Sequence, residues 1–324
     1  MYFPNDIEEI CYETDHIQKV LAEIKLNFQK YFEEYLEKES GHASSISDIE
    51  KLASTIGTVR LPKKKPINKP QVFNRNINEA IADFESDRES YKEILDEEAL
   101  EEFAEDPGSF KNTILRNKCP IIRAVLQNKL AKELDKYRKD FKFSDPGDLL
   151  RVTTNIASFA RDYSLNYYES ETYEDAKALK DMNFSELTTN EYTVFGVIGG
   201  GIKSIFLYKL FPNIFPYRGP DAIWALWYLT NRKIFGCHQD SEFLMIKKEE
   251  NTTQQNFYYP YDLFAFYALQ LFNVLKNQAV KLGVEIPTKY RYVMVNSFLN
   301  FVANCHRDEI DDLKKKVTLD WHEY

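Results

Sequence analysis

Apolar residues recur at three- and four-residue steps through most of the first forty positions, which is the period of one face of an α-helix. The apolar stripe consists of Ile7, Ile10, Ile17, Val20, Leu21, Ile24, Phe28, Tyr31, Phe32, Tyr35 and Leu36. Glu and Lys fill most positions between them, as expected for a solvated opposite face. The pattern predicts a long amphipathic helix over residues 6–39, with a break near Thr14. The stripe must be covered by the rest of this chain or by another protomer, and packing within the chain is the simpler arrangement.

Charged residues are sorted into blocks along the next hundred positions of a chain whose formal net charge is -9. Residues 60–75 are basic, residues 79–106 are acidic, and residues 111–142 are basic again. Prolines in the first block favour extended backbone, because proline fixes φ and has no N–H. This block is therefore predicted to be a linker, or an arm that lies across a surface.

The acidic block and the second basic block both have helical periodicity. Helices are predicted over residues 78–105 and 111–142, and Asp106-Pro107-Gly108 between them is a turn signal that favours an antiparallel hairpin. A second strong turn at Asp145-Pro146-Gly147 marks the main domain boundary. The predicted organisation is an N-terminal helical segment (1–57), a basic Pro-rich linker or arm (58–77), a charged helical hairpin (78–145) and a C-terminal α+β domain (146–324).

The C-terminal part becomes rich in aromatic and β-branched residues from Tyr192 onward. Short strands are predicted at 192–198, 233–237, 242–247 and 290–295, and helices at 202–210, 220–230, 261–282 and 296–304. The predicted fold class is mainly α with a smaller β component (α+β), in which an N-terminal helical module precedes an aromatic-rich α/β-type C-terminal domain.

Hydropathy and cysteine spacing bear on the compartment of the protein. No apolar run reaches the roughly 18 to 20 residues of a membrane span, and the first ten residues lack the order of a signal peptide. The four cysteines, Cys11, Cys119, Cys237 and Cys305, are widely scattered and are predicted to be reduced thiols. We therefore expect a cytoplasmic protein with no membrane association.

The two basic blocks are the main candidates for a binding surface. Lysine and arginine neutralise phosphates and release counterions, so such blocks favour contact with DNA or RNA. The predicted nucleic-acid-binding residues are Lys63, Lys64, Lys65, Lys69, Arg116, Lys118, Arg123, Lys129 and Lys132. Contact with a protein partner is an equal alternative, and a charge run is otherwise a solvated face or pairs with the acidic block.

A glycine-rich stretch over residues 196–204 lies between an apolar run and a helix-like run, which is a setting that suits an anion. Its predicted anion-binding residues are Gly199, Gly200, Gly201, Lys203 and Ser204. A nucleotide-hydrolysing loop needs lysine directly after the last glycine, and Ile202 intervenes here. Close packing of the following helix is the simpler reason for the glycines.

Metal chemistry has two weak signals. Asp221 and Glu242 could join Lys247 or Lys248 in a nuclease-like set, but the spacing is unfavourable. The dipeptides Cys237-His238 and Cys305-His306 contain zinc-ligand types, although adjacent residues seldom reach one ion. The sequence therefore predicts no metal site and no cofactor, and it assigns no catalytic residue.

Three functions follow from these patterns. The first is a nucleic-acid-associated or complex-forming binding protein that uses residues 60–75 and 111–142. The second is an enzyme with a phosphate-bearing substrate, nucleotide-binding or nuclease-like, centred on the turn at 196–204. The third is a scaffold that self-associates through the helix at 6–39. Whether the chain is an enzyme is left open by its motifs.

Overall fold

The computed structural model describes residues 7–37, 68–237, 242–248, 251–254 and 259–320. Helices account for nearly all of the regular structure in these ranges. The strands in them are β1 (Met245–Lys248) and β2 (Asn251–Gln254), which form one antiparallel hairpin. The prediction of an α+β fold with a substantial β component in the C-terminal domain is therefore wrong.

The N-terminal amphipathic helix is confirmed. A 3-10 helix at Glu9–Tyr12 precedes α1 (Thr14–Glu37), so the expected break near Thr14 is present. Glu13 has extended backbone (φ -71°, ψ 139°), which separates the two helices. The stripe on α1 from Ile17 to Leu36 is buried, as its helical period requires.

The charged region is divided into many short helices. Helix α2 (Lys69–Glu85) begins in the first basic block and ends in the acidic block, which continues through α3 (Arg88–Ile94) and α4 (Glu97–Glu102). A single turn at Pro107–Ser109 leads into the second basic block, which is covered by a π-helical stretch at Phe110–Lys118, α5 (Pro120–Gln127), a 3-10 helix at Lys132–Leu134 and α6 (Asp135–Phe143). Pro120 lacks an N–H and occupies the first turn of α5, where none is needed. The runs predicted as continuous helices are thus interrupted by caps and prolines.

After the charged region, the described residues contain six longer helices and several 3-10 turns. The helices are α7 (Pro146–Asn166), α8 (Gly200–Leu210), α9 (Pro220–Leu229), α10 (Tyr261–Lys281), α11 (Arg291–Cys305) and α12 (Arg307–Asp320). The 3-10 turns are Tyr173–Asp175, Leu179–Met182, Ser185–Thr188, Asn190–Tyr192 and Thr288–Tyr290.

Three of the four predicted strands are absent from the described residues. Residues 290–295 lie mostly in α11, residues 233–237 have no strand, and 192–198 contains a single bridge between Val194 and Ile198. The strand predicted at 242–247 is confirmed in part, because residues 245–247 belong to β1 and pair with β2. Residues 290–295 were mistaken for a strand because a helix that is buried all round has no polar face, so its apolar run cannot be told from a buried strand by period.

One continuous apolar core extends from Ile7 to Ile310. Helix α1 packs against α2, α9, α10 and α11, so the first helix and the C-terminal helices share this core. The Phe28 ring lies 5.0 Å from the Phe298 ring of α11, and the Tyr35 ring lies 5.7 Å from it. The apolar stripe proposed for self-association is therefore covered by its own chain. Among the residues described, no helix has the length and apolar character needed to cross a membrane.

Candidate metal centre

Four side chains of metal-ligand type meet in the core. Cys11 lies in the 3-10 helix before α1, and His16 lies in the first turns of α1. Cys237 follows α9, and Glu242 shortly precedes β1. One ligand atom from each residue lies within 4.8 Å of the ligand atoms of the other three, and all four residues are buried. Two segments separated by more than 200 residues thus contribute two donors each.

The local backbone explains how the second pair reaches the cluster. Gly236 has φ +93°, a conformation that side-chain-bearing residues rarely adopt, and it directly precedes Cys237. Leu244 has φ +54° and lies two residues after Glu242. A non-glycine residue in the left-handed region costs on the order of 1 kcal/mol. Both ends of this short segment therefore turn sharply, and such turns tend to occur at functional sites.

The spacing of the sulfurs fits a tetrahedral ion. Cys11 Sγ and Cys237 Sγ are 3.7 Å apart, and both cysteines are free thiols. Two sulfurs bound to zinc at about 2.3 Å, with a tetrahedral angle between them, would lie about 3.8 Å apart. The pair therefore has the separation of two thiolate ligands.

Glu242 is held by both of its oxygens. Its Oε2 is paired with His16 Nε2, and its Oε1 accepts hydrogen bonds from the hydroxyls of Tyr259 (3.2 Å) and Tyr267 (2.9 Å). The residue is fully buried. Burying a carboxylate is costly unless a cation and hydrogen bonds compensate. The tyrosines fix one oxygen and leave the other directed at His16.

Proton affinities in the cluster are strongly coupled. The hydrogen bond with Glu242 raises the pKa of His16, although burial opposes this. The hydrogen bond to Cys237 raises the pKa of Cys11, and burial and the Glu242 charge add to this rise. The same hydrogen bond lowers the pKa of Cys237, which is therefore the thiol that ionises more readily. A bound dication would replace protons on the thiols and the imidazole.

The donor set selects the kind of metal. Two thiols, one imidazole and one carboxylate are ligands that zinc accepts, and thiolates disfavour Mg²⁺ and Ca²⁺. Four protein donors would complete a tetrahedral shell and leave no position open for water or substrate. Such closed sites are structural rather than catalytic.

Sequence reasoning missed this cluster. The signal present in the sequence is that Cys11 and Cys237 are each followed five positions later by a ligand-type residue, His16 and Glu242. Of the two Cys-His dipeptides, the first contributes Cys237 to the cluster, whereas the second makes other contacts. Cys305 is exposed, and the His306 ring stacks on Tyr228 at 3.7 Å and bonds the Tyr31 hydroxyl at 2.7 Å; His238 lies outside the described residues.

The predicted nucleic-acid-binding residues fall into two groups. Lys63, Lys64 and Lys65 lie outside the described residues, and Lys69 is paired with Glu33. Arg116, Lys118, Arg123, Lys129 and Lys132 are all exposed. Within the described ranges, the ion pair made by the second basic block is Arg138 with Asp135 in the same helix, and none reaches the acidic block. The two charge blocks therefore do not neutralise each other through direct pairs.

The glycine-rich turn is occupied by internal contacts. The ammonium of Lys203 is buried and donates to the Leu187 carbonyl, while burial lowers its pKa to about 8. The Ser204 hydroxyl donates to the Gly201 carbonyl at 2.9 Å. A Cβ at Gly200 would lie only 1.8 Å from Arg218 Nη2. Close packing therefore explains Gly200, whereas a Cβ at Gly199 or Gly201 would meet no atom within 4 Å. The anion site stays a prediction.

The nuclease-like set is not assembled. Asp221 forms a two-pronged pair with Arg307 at 3.2 and 2.7 Å, whereas Glu242 belongs to the cysteine and histidine cluster. Lys247 and Lys248 lie in β1. The aromatic residues from Tyr261 to Tyr267 are buried on α10 and belong to the core.

Comparisons of this chain with protein-family models, with curated proteins and with solved structures gave no match.

Proposed function

We propose that this protein binds one zinc ion through Cys11, His16, Cys237 and Glu242. The observation that carries the proposal is the convergence of four buried donor atoms within 4.8 Å of one another. Two thiols at 3.7 Å add the spacing of a tetrahedral site. The ion would act as a structural cross-link between the start of α1 and the segment between α9 and β1.

The physical role of the ion follows from what it would neutralise. The cluster holds a carboxylate and two thiols that could be ionised, all inside an apolar core. A dication bound there offsets the cost of burying these charges and adds a cross-link between two segments that are joined here by the side-chain hydrogen bonds of the cluster itself. Tyr259 and Tyr267 hold Glu242 in place through its second oxygen, as residues behind a metal ligand commonly do.

A metal-free ion pair is the competing interpretation. His16 and Glu242 already form a buried pair, and two neutral thiols beside it need no metal. The two interpretations differ in metal content and in the role of the cysteines. Only a zinc centre requires Cys11 and Cys237 to bind the same ion as His16 and Glu242.

Metal analysis of the purified chain tests the proposal. We expect about one zinc per chain when the protein is prepared without chelator. Cys11→Ser and Cys237→Ser should lose it, whereas Cys305→Ser, which changes an exposed thiol, should keep it. Cobalt should replace zinc and give the intense thiolate-to-metal absorption of a two-sulfur site. Zinc content well below one, or equal content in all four proteins, would reject the centre.

A second function, contact with a polyanion, is favoured by one observation. Five cations of the second basic block are exposed, and no described ion pair joins that block to the acidic block: Arg116, Lys118, Arg123, Lys129 and Lys132. Such groups are free to neutralise phosphates of DNA or RNA. This function is independent of the metal centre.

Charge reversal tests whether these five residues bind a polyanion. A variant with all five residues changed to Glu should bind single-stranded RNA or DNA at least about tenfold more weakly and with a shallower salt dependence. A matched control reverses five exposed lysines elsewhere: Lys19, Lys25, Lys30, Lys180 and Lys281. Equal weakening in both variants would show that net charge alone acts, and absence of binding by the wild type would reject this function.

A further inference from the structure

Cys11 and Cys237 are separated by 226 residues, yet their sulfurs approach to 3.7 Å. A disulfide has an S–S length of about 2.05 Å, so the two atoms need to close a gap of about 1.7 Å. The other two cysteines have different surroundings. Cys119 is fully buried, and Cys305 is exposed beside Glu34. The first pair is therefore placed to exchange a shared ion for a covalent bond.

We propose that Cys11 and Cys237 form a reversible disulfide when the protein meets hydrogen peroxide, and that this bond and the bound zinc exclude each other. Release of the metal rests on the proposed zinc centre, whereas formation of the bond needs only the two thiols. The pair would then be a modification site that sets the metal content of the protein.

The reaction is a two-electron oxidation. Cys237 is 9% exposed and Cys11 is 1% exposed, so the Cys237 thiolate meets the peroxide first. Its sulfur bonds to one peroxide oxygen, the O–O bond breaks, and hydroxide leaves. The Cys11 sulfur then attacks the Cys237 sulfur; the S–S bond forms, the S–O bond breaks, and the departing hydroxide takes the Cys11 proton and leaves as water. The two sulfurs lose two electrons, the peroxide gains them, and one solvent proton converts the first hydroxide to water.

The geometry explains why metal is lost while the fold is kept. Oxidation removes both sulfur ligands, which leaves His16 and Glu242, and these two are already paired with each other. Two donors are too few to hold zinc in competition with water. The new bond joins the same two segments that the ion joined, so the start of α1 stays attached to the segment after α9. The chain therefore changes its metal content without losing its core.

Peroxide titration of zinc-loaded and metal-free protein tests this inference. One equivalent of hydrogen peroxide is added, remaining thiols are alkylated under denaturing conditions, and released zinc is measured with a chromogenic chelator. We expect two of four thiols to escape alkylation, a chain lighter by about 2 Da before alkylation, and a peptide map that joins Cys11 to Cys237. Zinc should appear in equal amount, and a dithiol reductant should reverse the change. Cys305→Ser should react like the wild type, and Cys237→Ser should form no internal bond.

The outcomes separate the two proposals. Alkylation of all four thiols in the metal-free protein, or a bond that involves Cys119 or Cys305, would overturn the disulfide. Retention of zinc in the oxidised chain would overturn mutual exclusion. A chain that takes up no zinc but joins Cys11 to Cys237 would reject the zinc centre and metal release while leaving the disulfide established.

Discussion

Two groups of polar side chains are buried in the same helical core, and they differ in what surrounds them. At the proposed metal centre, thiols, an imidazole and a carboxylate place their ligand atoms within 4.8 Å of one another. At the glycine-rich turn, Lys203 donates to a backbone carbonyl and Ser204 to another. The ligand atoms of the first group lie close enough together to bind one ion. The hydrogen-bond donors of the second group are already bonded to backbone carbonyls.

Proton affinity reflects this difference. The carboxylate beside His16 raises the pKa of the imidazole, whereas burial, helped by the Arg218 charge, lowers that of Lys203. A positive charge is therefore favoured at His16 and disfavoured at Lys203. Buried polarity alone does not indicate a ligand site; convergence of donor atoms that prefer one kind of ion does.

Removal of zinc should have the largest effect on stability. A ligand present at 1,000 times its dissociation constant stabilises the folded state by about 4 kcal/mol. For a chain of this size, that corresponds to a fall in Tm on the order of 8 °C when a chelator is added. Thermal unfolding followed by circular dichroism measures it. Cys237→Ser should show the lower Tm with or without chelator, and a wild type indifferent to chelator would count against a structural ion.

Lys203 should make stability depend on alkaline pH. Below about pH 8 the ammonium is protonated in the folded and unfolded states alike, and the cost of burying its charge is fully present. Between about pH 8 and 10.5 the folded protein has lost this proton but the unfolded chain retains it, so the free energy of unfolding rises with pH.

The matched comparison is with Lys203→Met, which removes the titrating group and keeps the length of the side chain. Across this window the wild type should gain up to about 3 kcal/mol relative to the variant. Chemical denaturation of both proteins at several pH values measures the difference, in which the titration of other groups cancels. A constant difference would show that the ammonium of Lys203 is not desolvated in the fold.

Neighbouring glycines allow the packing at the turn to be tested directly. In Gly200→Ala the new Cβ would meet the Arg218 guanidinium at 1.8 Å, so we expect a loss of about 1–3 kcal/mol. Gly201→Ala is the control, since no atom lies within 4 Å of its Cβ and alanine favours a helix by up to about 1 kcal/mol. Denaturation midpoints that shift in the same direction for both variants would refute the close-packing explanation.

Helix boundaries near this turn were predictable because their signals are local. The predicted helices at 202–210, 220–230 and 261–282 end within two residues of α8, α9 and α10. Pro220 marks the first turn of α9, and Gly283, at φ +66°, lies just beyond α10. The strand predicted at 290–295 failed because Tyr292 to Val295 are buried on α11 and show no polar face.

The cluster proposed to bind zinc was not predictable for a different reason. Each half of it is visible as a cysteine followed five positions later by a ligand type, but such pairs are common by chance. Joining the halves requires the knowledge that the start of α1 lies beside the segment after α9, which is a contact across 226 residues. Packing of α1 against α9 and α10 creates that neighbourhood, and periodicity does not encode it.

The smallest effect is expected from the hydroxyls behind Glu242. Tyr267→Phe removes the 2.9 Å hydrogen bond to Oε1 and leaves the ring in the core, whereas Tyr259→Phe removes the longer bond at 3.2 Å. Loss of a partner behind a metal ligand weakens metal binding by about 10-fold to 100-fold. We expect Tyr267→Phe to weaken zinc binding by about 10-fold, which corresponds to about 1.4 kcal/mol of binding free energy. Tyr259→Phe should weaken zinc binding less. Competition with a chelator of known affinity measures both; unchanged zinc affinity in the double variant would mean that Glu242 is oriented by the fold alone and does not depend on the tyrosines.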